Sequence, residues 1–211
     1  MHLDQFGILE YRIRRLEIVQ EIIRDARACS SVYAKAGLTR GVFERFLEED
    51  VARKSLPGFL LLIAKHHRQD LRILERMKAH SRVGKDHATL EDKIISTQRL
   101  LASTEQSAAM LAANESAASE SLQIYHSIKK SSKIEPVAKS VYTEEAFRMF
   151  YADYAAFSPF VHGGHRETLA VTKDRDQRPV MLATLEKILE QLHTNTDEML
   201  NELRAIHAQQ E

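Results

Sequence analysis

Two histidines, His162 and His165, lie three positions apart on either side of the chain's only Gly-Gly pair. Histidines at this spacing can face one metal ion from a single helical turn, because imidazole nitrogens are common zinc ligands. Glu167 is near in sequence, but no third ligand follows at a recognised spacing. The alternative is a polar loop that carries surface histidines. The pair is therefore a candidate metal site with a simple structural alternative.

Arg40 and Glu44 lie four positions apart in a segment with helical spacing. On a helix surface such a pair contributes about 0.2–0.5 kcal/mol. The neighbouring residues are apolar, however, and include Phe43 and Phe46. A buried pair would require specific partners, because an uncompensated buried charge is costly. The pattern leaves open an ordinary surface pair and a buried polar site.

Residues 142–169 hold seven of the chain's fourteen aromatic side chains. Aromatic residues at helical spacing usually belong to a core, and a buried tyrosine hydroxyl needs a hydrogen-bond partner. Arg148 lies among these residues and could stack on a ring or bind a phosphate group. This segment is a helix that could carry a site as well as part of the core.

Two further groups of polar residues have plainer interpretations. His66 and Asp70 are one helical turn apart and could pair or bind a metal, whereas His67 falls on an apolar stripe. A histidine in that position is more often a hydrogen-bonded core residue than a ligand. Cys29 has no activating base near it in sequence, so we expect an inert thiol.

Two segments carry a family resemblance. Residues 36–44, Ala-Gly-Leu-Thr-Arg-Gly-Val-Phe-Glu, resemble the early Arg-x-x-x-Glu helix of a bacterial helical family of unknown function. Residues 154–162, Tyr-x-x-x-Ser-x-x-x-His, resemble the late segment of that family, and the separation is similar. Such proteins are similar to the HEPN type of helical bundle. HEPN proteins are often dimeric and bind nucleotides or cut RNA in toxin and phage-defence settings.

The resemblance implies one polar pocket between the second and fifth helices. Its residues would be Arg40, Glu44, Tyr154, Ser158 and His162. The two further candidate binding residues are Arg148 and His165.

The sequence departs from the HEPN ribonucleases at one point. Those enzymes place an arginine four to six residues before the catalytic histidine, whereas residues 157–161 read Phe-Ser-Pro-Phe-Val. The resemblance therefore implies the fold more than the nuclease. The catalytic alternative is metal-independent RNA cleavage, with His162 as general base and Arg40 or Arg166 stabilising the phosphorane charge.

Composition narrows the class of protein. The 211 residues carry 30 basic and 30 acidic side chains, and this neutrality argues against a non-specific nucleic-acid coat but not against a local basic patch. A single cysteine cannot form an internal disulfide, which favours a reducing cytoplasm. The N-terminus does not read as a signal peptide, and the longest apolar run, residues 59–64, is too short to span a membrane. Common nucleotide-fold and hydrolase motifs are absent from the sequence, so no cofactor is expected.

Sparse glycine and proline and the absence of strand-like alternation predict an all-α bundle of about six helices. Long N-terminal, central and C-terminal helices are expected within one domain whose core covers about residues 1–172. The predicted helices are residues 3–36, 38–56, 56–79, 89–130, 143–158 and 178–208. Gly37 is expected to end the first helix, residues 129–136 to form a loop, and Ser158-Pro159 to bend or end the fifth helix.

The last helix has the clearest periodicity. Its a/d positions are Leu182, Leu185, Leu189, Leu192, Thr196, Met199, Leu203 and Ile206. This heptad series predicts either packing on the N-terminal helix or a coiled-coil seam with a second subunit, and hence a homodimer.

Three functions are compatible with these features. The first is a HEPN-like binding protein for a nucleotide, an RNA segment or a protein partner, for which the resemblance implies a setting in bacterial defence or a toxin–antitoxin system. The second is a dimeric helical scaffold, and the third is the ribonuclease.

Overall fold

A computed structural model describes residues 5–80, 85–131, 133–162 and 177–209. These residues form eight α-helices and no β-strand, so the prediction of an all-α protein is confirmed. The helices are α1 (Gln5–Ala28), α2 (Val32–Lys54), α3 (Leu56–His80), α4 (Lys85–Ala113), α5 (Glu120–Lys130), α6 (Ile134–Val141), α7 (Glu144–His162) and α8 (Gln177–Ala208). Within the described ranges, no helix has the length and apolar character needed to cross a membrane.

The predicted first helix is wrong at its C-terminal end. The structure ends α1 at Ala28 and begins α2 at Val32, so Gly37 lies inside α2 instead of ending a helix. The cause is Ser31, whose hydroxyl accepts a hydrogen bond from the backbone N–H of Ala34 at 3.4 Å. A serine in this position satisfies an otherwise unpaired N–H and starts a new helix.

The predicted continuous helix over residues 89–130 is also wrong. The structure ends α4 at Ala113 and starts α5 at Glu120. The hydroxyl of Ser119 accepts a hydrogen bond from the N–H of Leu122 at 3.1 Å and caps the new helix. Serine and asparagine side chains compete with helical backbone bonds, which explains the break at residues 114–119.

Pro136 differs from expectation, and at Pro159 the structure excludes one of the two expected outcomes, an end of the helix. Residues predicted as a loop form α6, in which Pro136 lies in the first turn. An N–H there has no helical acceptor, so proline loses little. In α7 the helix continues to His162, three residues past Pro159. Proline removes one bond to the carbonyl four residues earlier, which the helix tolerates here.

The chain divides into two compact units. In the described part, the terminal unit holds residues 5–47 and 143–209, and the central unit holds residues 48–142. The boundary falls within α2 and between α6 and α7. That the chain behaves as a single domain stays a prediction.

In the terminal unit, α8 packs against α1. The amide of Gln20 donates to Asp197 at 2.5 Å, and Arg204 pairs with Glu17 at 2.8 Å beside this contact. Six of the eight heptad positions of α8 are buried within the single chain: Leu185, Leu189, Leu192, Thr196, Met199 and Leu203. The heptad seam is therefore used inside the chain, as one of the two alternatives predicts. A homodimer stays a prediction and would need another surface.

In the central unit, α3 packs against α4 and α5, and α5 packs against α6. The predicted start of α3 near Ser55 agrees with the structure, because the Ser55 hydroxyl accepts from the N–H of Gly58 at 3.1 Å and donates to the carbonyl of Ser121 at 2.7 Å. A Cβ on Gly58 would lie 2.8 Å from that hydroxyl oxygen and 3.1 Å from Cδ1 of Ile128. Glycine thus permits the close approach of α3 and α5.

The C-terminal half of α3 is thinly buried. None of residues 65–80 is buried, and Met77 is 52% exposed. The facing part of α4 buries Ile94. These half-helices present a charged surface.

Candidate functional site

Helices α2 and α7 bring together Arg40, Glu44 and Tyr154, three residues that the sequence placed in one pocket. The hydroxyl of Tyr154 accepts hydrogen bonds from Nη2 of Arg40 at 2.6 Å and from Nε at 3.1 Å. The same hydroxyl donates to Oε1 of Glu44 at 3.1 Å, and Nε of Arg40 lies 3.3 Å from that oxygen. The three side chains form one polar cluster, here called the Arg40 cluster.

The Arg40 cluster is buried on one side and open on the other. The side chain of Arg40 is 14% exposed, Tyr154 is 8% exposed, and the side chain of Glu44 is 38% exposed. Burial raises the pKa of the Tyr154 hydroxyl, and the Glu44 charge raises it further, while the bond from Arg40 opposes the shift. The hydroxyl therefore stays protonated and can donate to Glu44 while accepting from Arg40.

Aromatic rings hold Tyr154 in place. The ring of Phe150 stacks on Tyr154 at 6.0 Å between centroids, and Phe43 of α2 meets Phe150 edge-on at 5.9 Å. These contacts fix the tyrosine ring relative to α2, which in turn fixes the direction of the hydroxyl. The guanidinium carbon of Arg40 lies 4.8 Å from the centre of the Tyr154 ring.

Gly41 leaves open space beside the cluster. A Cβ at this position would meet no described atom within 4 Å outside its own helix backbone and chain neighbours. Glycine inside a helix costs about 1 kcal/mol relative to alanine. No described side chain packs on Gly41, which follows Arg40 in α2.

Some of the remaining predicted site residues belong to α7, and the others lie outside the described residues. Ser158 and His162 follow Tyr154 by four and eight residues on α7, about one and two helical turns onward, but their side chains lie outside the described part. His165, Arg166 and Glu167 lie outside the described residues altogether.

Arg148, a further predicted binding residue, forms its ion pair outside the Arg40 cluster. Its guanidinium pairs with Glu144, one turn earlier on the same helix, and both side chains are largely exposed. It forms an ordinary helix-surface pair, worth little in stability.

No described group of three histidine, cysteine or carboxylate residues is arranged to hold a metal ion. The candidate pair His162 and His165 falls outside the described side chains and stays a prediction. His66 pairs with Glu48, with Nε2 3.0 Å from Oε1. Burial lowers the pKa of His67, which favours its neutral form, as expected for a half-buried ring on the inner side of α3.

A second polar cluster was not predicted from the sequence. Nζ of Lys35, a buried residue, lies 2.9 Å from Glu186, and Nε of Arg27 lies 2.6 Å from the same carboxylate. Hydrogen bonds from Lys35 lower the pKa of Glu186. Lys35 and Glu186 also line a groove of about 1100 Å³ with Cys29 and Arg178. Partners 151 positions apart leave no local pattern, so sequence reasoning could not join them.

No family model matches the chain, and neither the curated proteins nor the solved structures include one that is significantly similar to it.

Proposed function

We propose that the chain is a HEPN-like binding protein that holds a phosphate-bearing ligand, a nucleotide or an RNA segment, at the Arg40 cluster. The observation that carries this proposal is the geometry of Arg40. Its guanidinium is fixed by the Tyr154 hydroxyl at 2.6 and 3.1 Å, while its carboxylate partner Glu44 is partly exposed.

Glu44 occupies the position that a ligand oxyanion would take. Carboxylate and phosphate oxygens make the same charge-assisted bonds to a guanidinium group. Because Tyr154 orients Arg40 independently, the guanidinium keeps its direction when Glu44 turns toward solvent. An incoming phosphate then meets a positioned cation, which reduces the entropy lost on binding.

The space beside Gly41 supports the same assignment. A ligand at Arg40 would approach the α2 backbone where no side chain projects. Ser158 and His162 follow Tyr154 in α7, and we assign them, together with His165, to the same ligand as further contacts. Arg148 would have to leave its pair with Glu144 to contact the ligand.

The setting that we propose is the bacterial cytoplasm, in a defence or toxin–antitoxin system, with a homodimer as the assembled form. This part of the proposal follows from the resemblance of residues 36–44 and 154–162 to the HEPN-like family. The ribonuclease alternative uses the same pocket, with His162 as general base and Arg40 or Arg166 at the phosphorane. It predicts RNA cleavage that His162→Ala abolishes.

The test is nucleotide binding by isothermal titration calorimetry, with ATP and GTP as probes. Tyr154→Phe should weaken binding at least about tenfold, because the guanidinium loses its fixed orientation. The matched control is Tyr142→Phe, which removes another tyrosine hydroxyl that donates to a carboxylate, Asp50, at 2.5 Å in the central unit. Equal binding by wild type and Tyr154→Phe, or no binding by wild type, would reject the assignment.

One observation favours the scaffold alternative. Ile73 and Met77 are 55% and 52% exposed and lie one turn apart on α3, where a partner helix could cover them. Ile73→Glu should then abolish association with that partner and leave nucleotide binding unchanged.

A further inference from the structure

Basic side chains repeat along one side of α3. Lys65, Arg68, Arg72 and Arg76 step by three, four and four residues. At about 100° per residue they fall within an arc of about 80°, and the row is about 16 Å long. Arg68, Arg72 and Arg76 are exposed. They form a linear row of positive charge, here called the basic row.

A cleft lies at the N-terminal end of the basic row. It has a volume of about 390 Å³ and is lined by parts of α3, α4 and α5. Lys65 and Arg68 enter it from α3, and Lys129 and Lys130 enter from the end of α5. The described lining carries these four cations and one carboxylate, Glu105, which pairs with Arg68.

The cleft and the basic row bring six basic side chains together on one part of the central unit. The described lining of the cleft holds one carboxylate, Glu105, and Glu75 lies at the edge of the row on α3. The whole chain is nevertheless neutral. Positive charge is thus concentrated on one surface of the central unit, and this concentration attracts anions over a distance set by ionic strength.

The spacing of the cations and the size of the cleft indicate which kind of anion this surface can bind. Cations about one helical turn apart form a line that a chain of phosphates can follow. The cleft is of the size that holds a small organic group such as one nucleotide. Its wall includes Tyr125, and Nζ of Lys129 lies 5.9 Å from the centre of that ring. The basic row occupies one face of a single helix, so its cations can line one strand.

We infer that the cleft and the basic row bind the phosphodiester backbone of single-stranded nucleic acid. The contacts are to phosphates, so binding is independent of sequence. This inference rests on residues of the central unit and does not depend on the Arg40 cluster. A chain with both sites would bind a nucleotide at one and a strand at the other.

The experiment is fluorescence anisotropy with labelled oligouridylate and oligothymidylate over a range of salt concentrations. Counterion release gives a slope of about −0.7 per phosphate contact in a plot of log K against log salt. Six contacts therefore give a slope of about −4.

Two double variants test the surface: Lys129→Ala/Lys130→Ala and Arg72→Ala/Arg76→Ala. Each should reduce the magnitude of the slope by about 1.4 and weaken binding at least about tenfold at ~0.1 M salt. The matched control is Lys93→Ala/Arg99→Ala, which removes the same charge from exposed positions of α4 about 120° around the helix from Glu105. Circular dichroism verifies that each variant is folded.

The outcomes separate this inference from the proposed function. Arg40→Ala should leave the salt slope unchanged, and the lysine and arginine variants should leave unchanged the part of nucleotide binding that Tyr154→Phe weakens. Tighter binding of RNA or of DNA identifies the source of the strand, and either result supports the surface. Absence of binding by wild type, an equal loss in the control variant, or tighter binding of a duplex would overturn the inference.

Discussion

The hydroxyl of Tyr154 lies 2.6 Å from Nη2 of Arg40, although 114 residues separate them in the chain. The same oxygen donates to Glu44, so a single tyrosine joins the two members of the Arg-x-x-x-Glu motif. Both motif residues are thus held by α7, which also carries Ser158 and His162. This link is the physical basis of the proposed site.

Tyr154→Phe should destabilise the folded chain by about 1–3 kcal/mol, because it removes a hydroxyl that accepts two hydrogen bonds from a mostly buried guanidinium. A double-mutant cycle with Glu44→Gln should show coupling, since both side chains bond to Arg40 and to each other. Urea denaturation measures the free energies. Additive effects of the two substitutions would show that the cluster does not act as a unit.

Two glycines in helices should respond oppositely to alanine. Gly41→Ala should stabilise the fold by about 1 kcal/mol, because the new methyl meets no described atom and alanine is the better helix former. Gly58→Ala should destabilise it, because the methyl would press on the Ser55 hydroxyl at 2.8 Å. Thermal denaturation compares the two. If Gly41→Ala is stabilised and also loses nucleotide binding, the open space belongs to the ligand; unchanged binding would argue against that use.

Leu189→Glu should unfold the chain, because Leu189 is fully buried on the face of α8 that packs on α1. Leu189→Ala should cost about 2–5 kcal/mol. Ile206→Glu is the matched control, since it has the same heptad spacing but is 45% exposed. Circular dichroism and light scattering give the results. A folded Leu189→Glu chain with half the wild-type mass would instead place the seam between subunits.

Glu186→Gln should remove part of the acid sensitivity of the fold. Hydrogen bonds from Lys35 hold the pKa of Glu186 below its ordinary 4.5, so this carboxylate stabilises the fold above pH 4.5. That stabilisation is lost as the pH falls from 4.5 through the lowered pKa. In this range the unfolded chain binds a proton at Glu186 and the folded chain does not, so acid favours unfolding. Wild type should therefore exceed the variant in stability at neutral pH, and the difference should shrink in acid. A constant difference at every pH would refute the linkage.

Local patterns predicted the helical class, the start of α3 near Ser55, the start of α7 after Thr143, and the heptad stripe of α8. Each depends on neighbours within a few residues. The breaks after Ala28 and Ala113 were missed because serine caps compete with good helix formers, and the balance between them is small. Periodicity alone cannot detect such an interruption.

The candidate site was predicted only where the family resemblance linked residues that are far apart in the sequence. Arg40, Glu44 and Tyr154 meet, as that resemblance implied. The pair of Lys35 and Glu186 was not predicted, because neither residue has a neighbour in sequence that indicates burial or a distant partner. The basic row, in contrast, is visible in the spacing of Lys65, Arg68, Arg72 and Arg76, but its meaning depends on Lys129 and Lys130 across the cleft.

The most direct measurement is the affinity of ATP for wild type and for Arg40→Lys, determined by calorimetry. Lysine keeps the charge but lacks the planar fork that Tyr154 orients. The proposal predicts that wild type binds and that Arg40→Lys binds at least about tenfold more weakly while remaining folded. Unchanged affinity in Arg40→Lys and in Arg40→Ala would contradict it and leave the Arg40 cluster as a structural contact between α2 and α7.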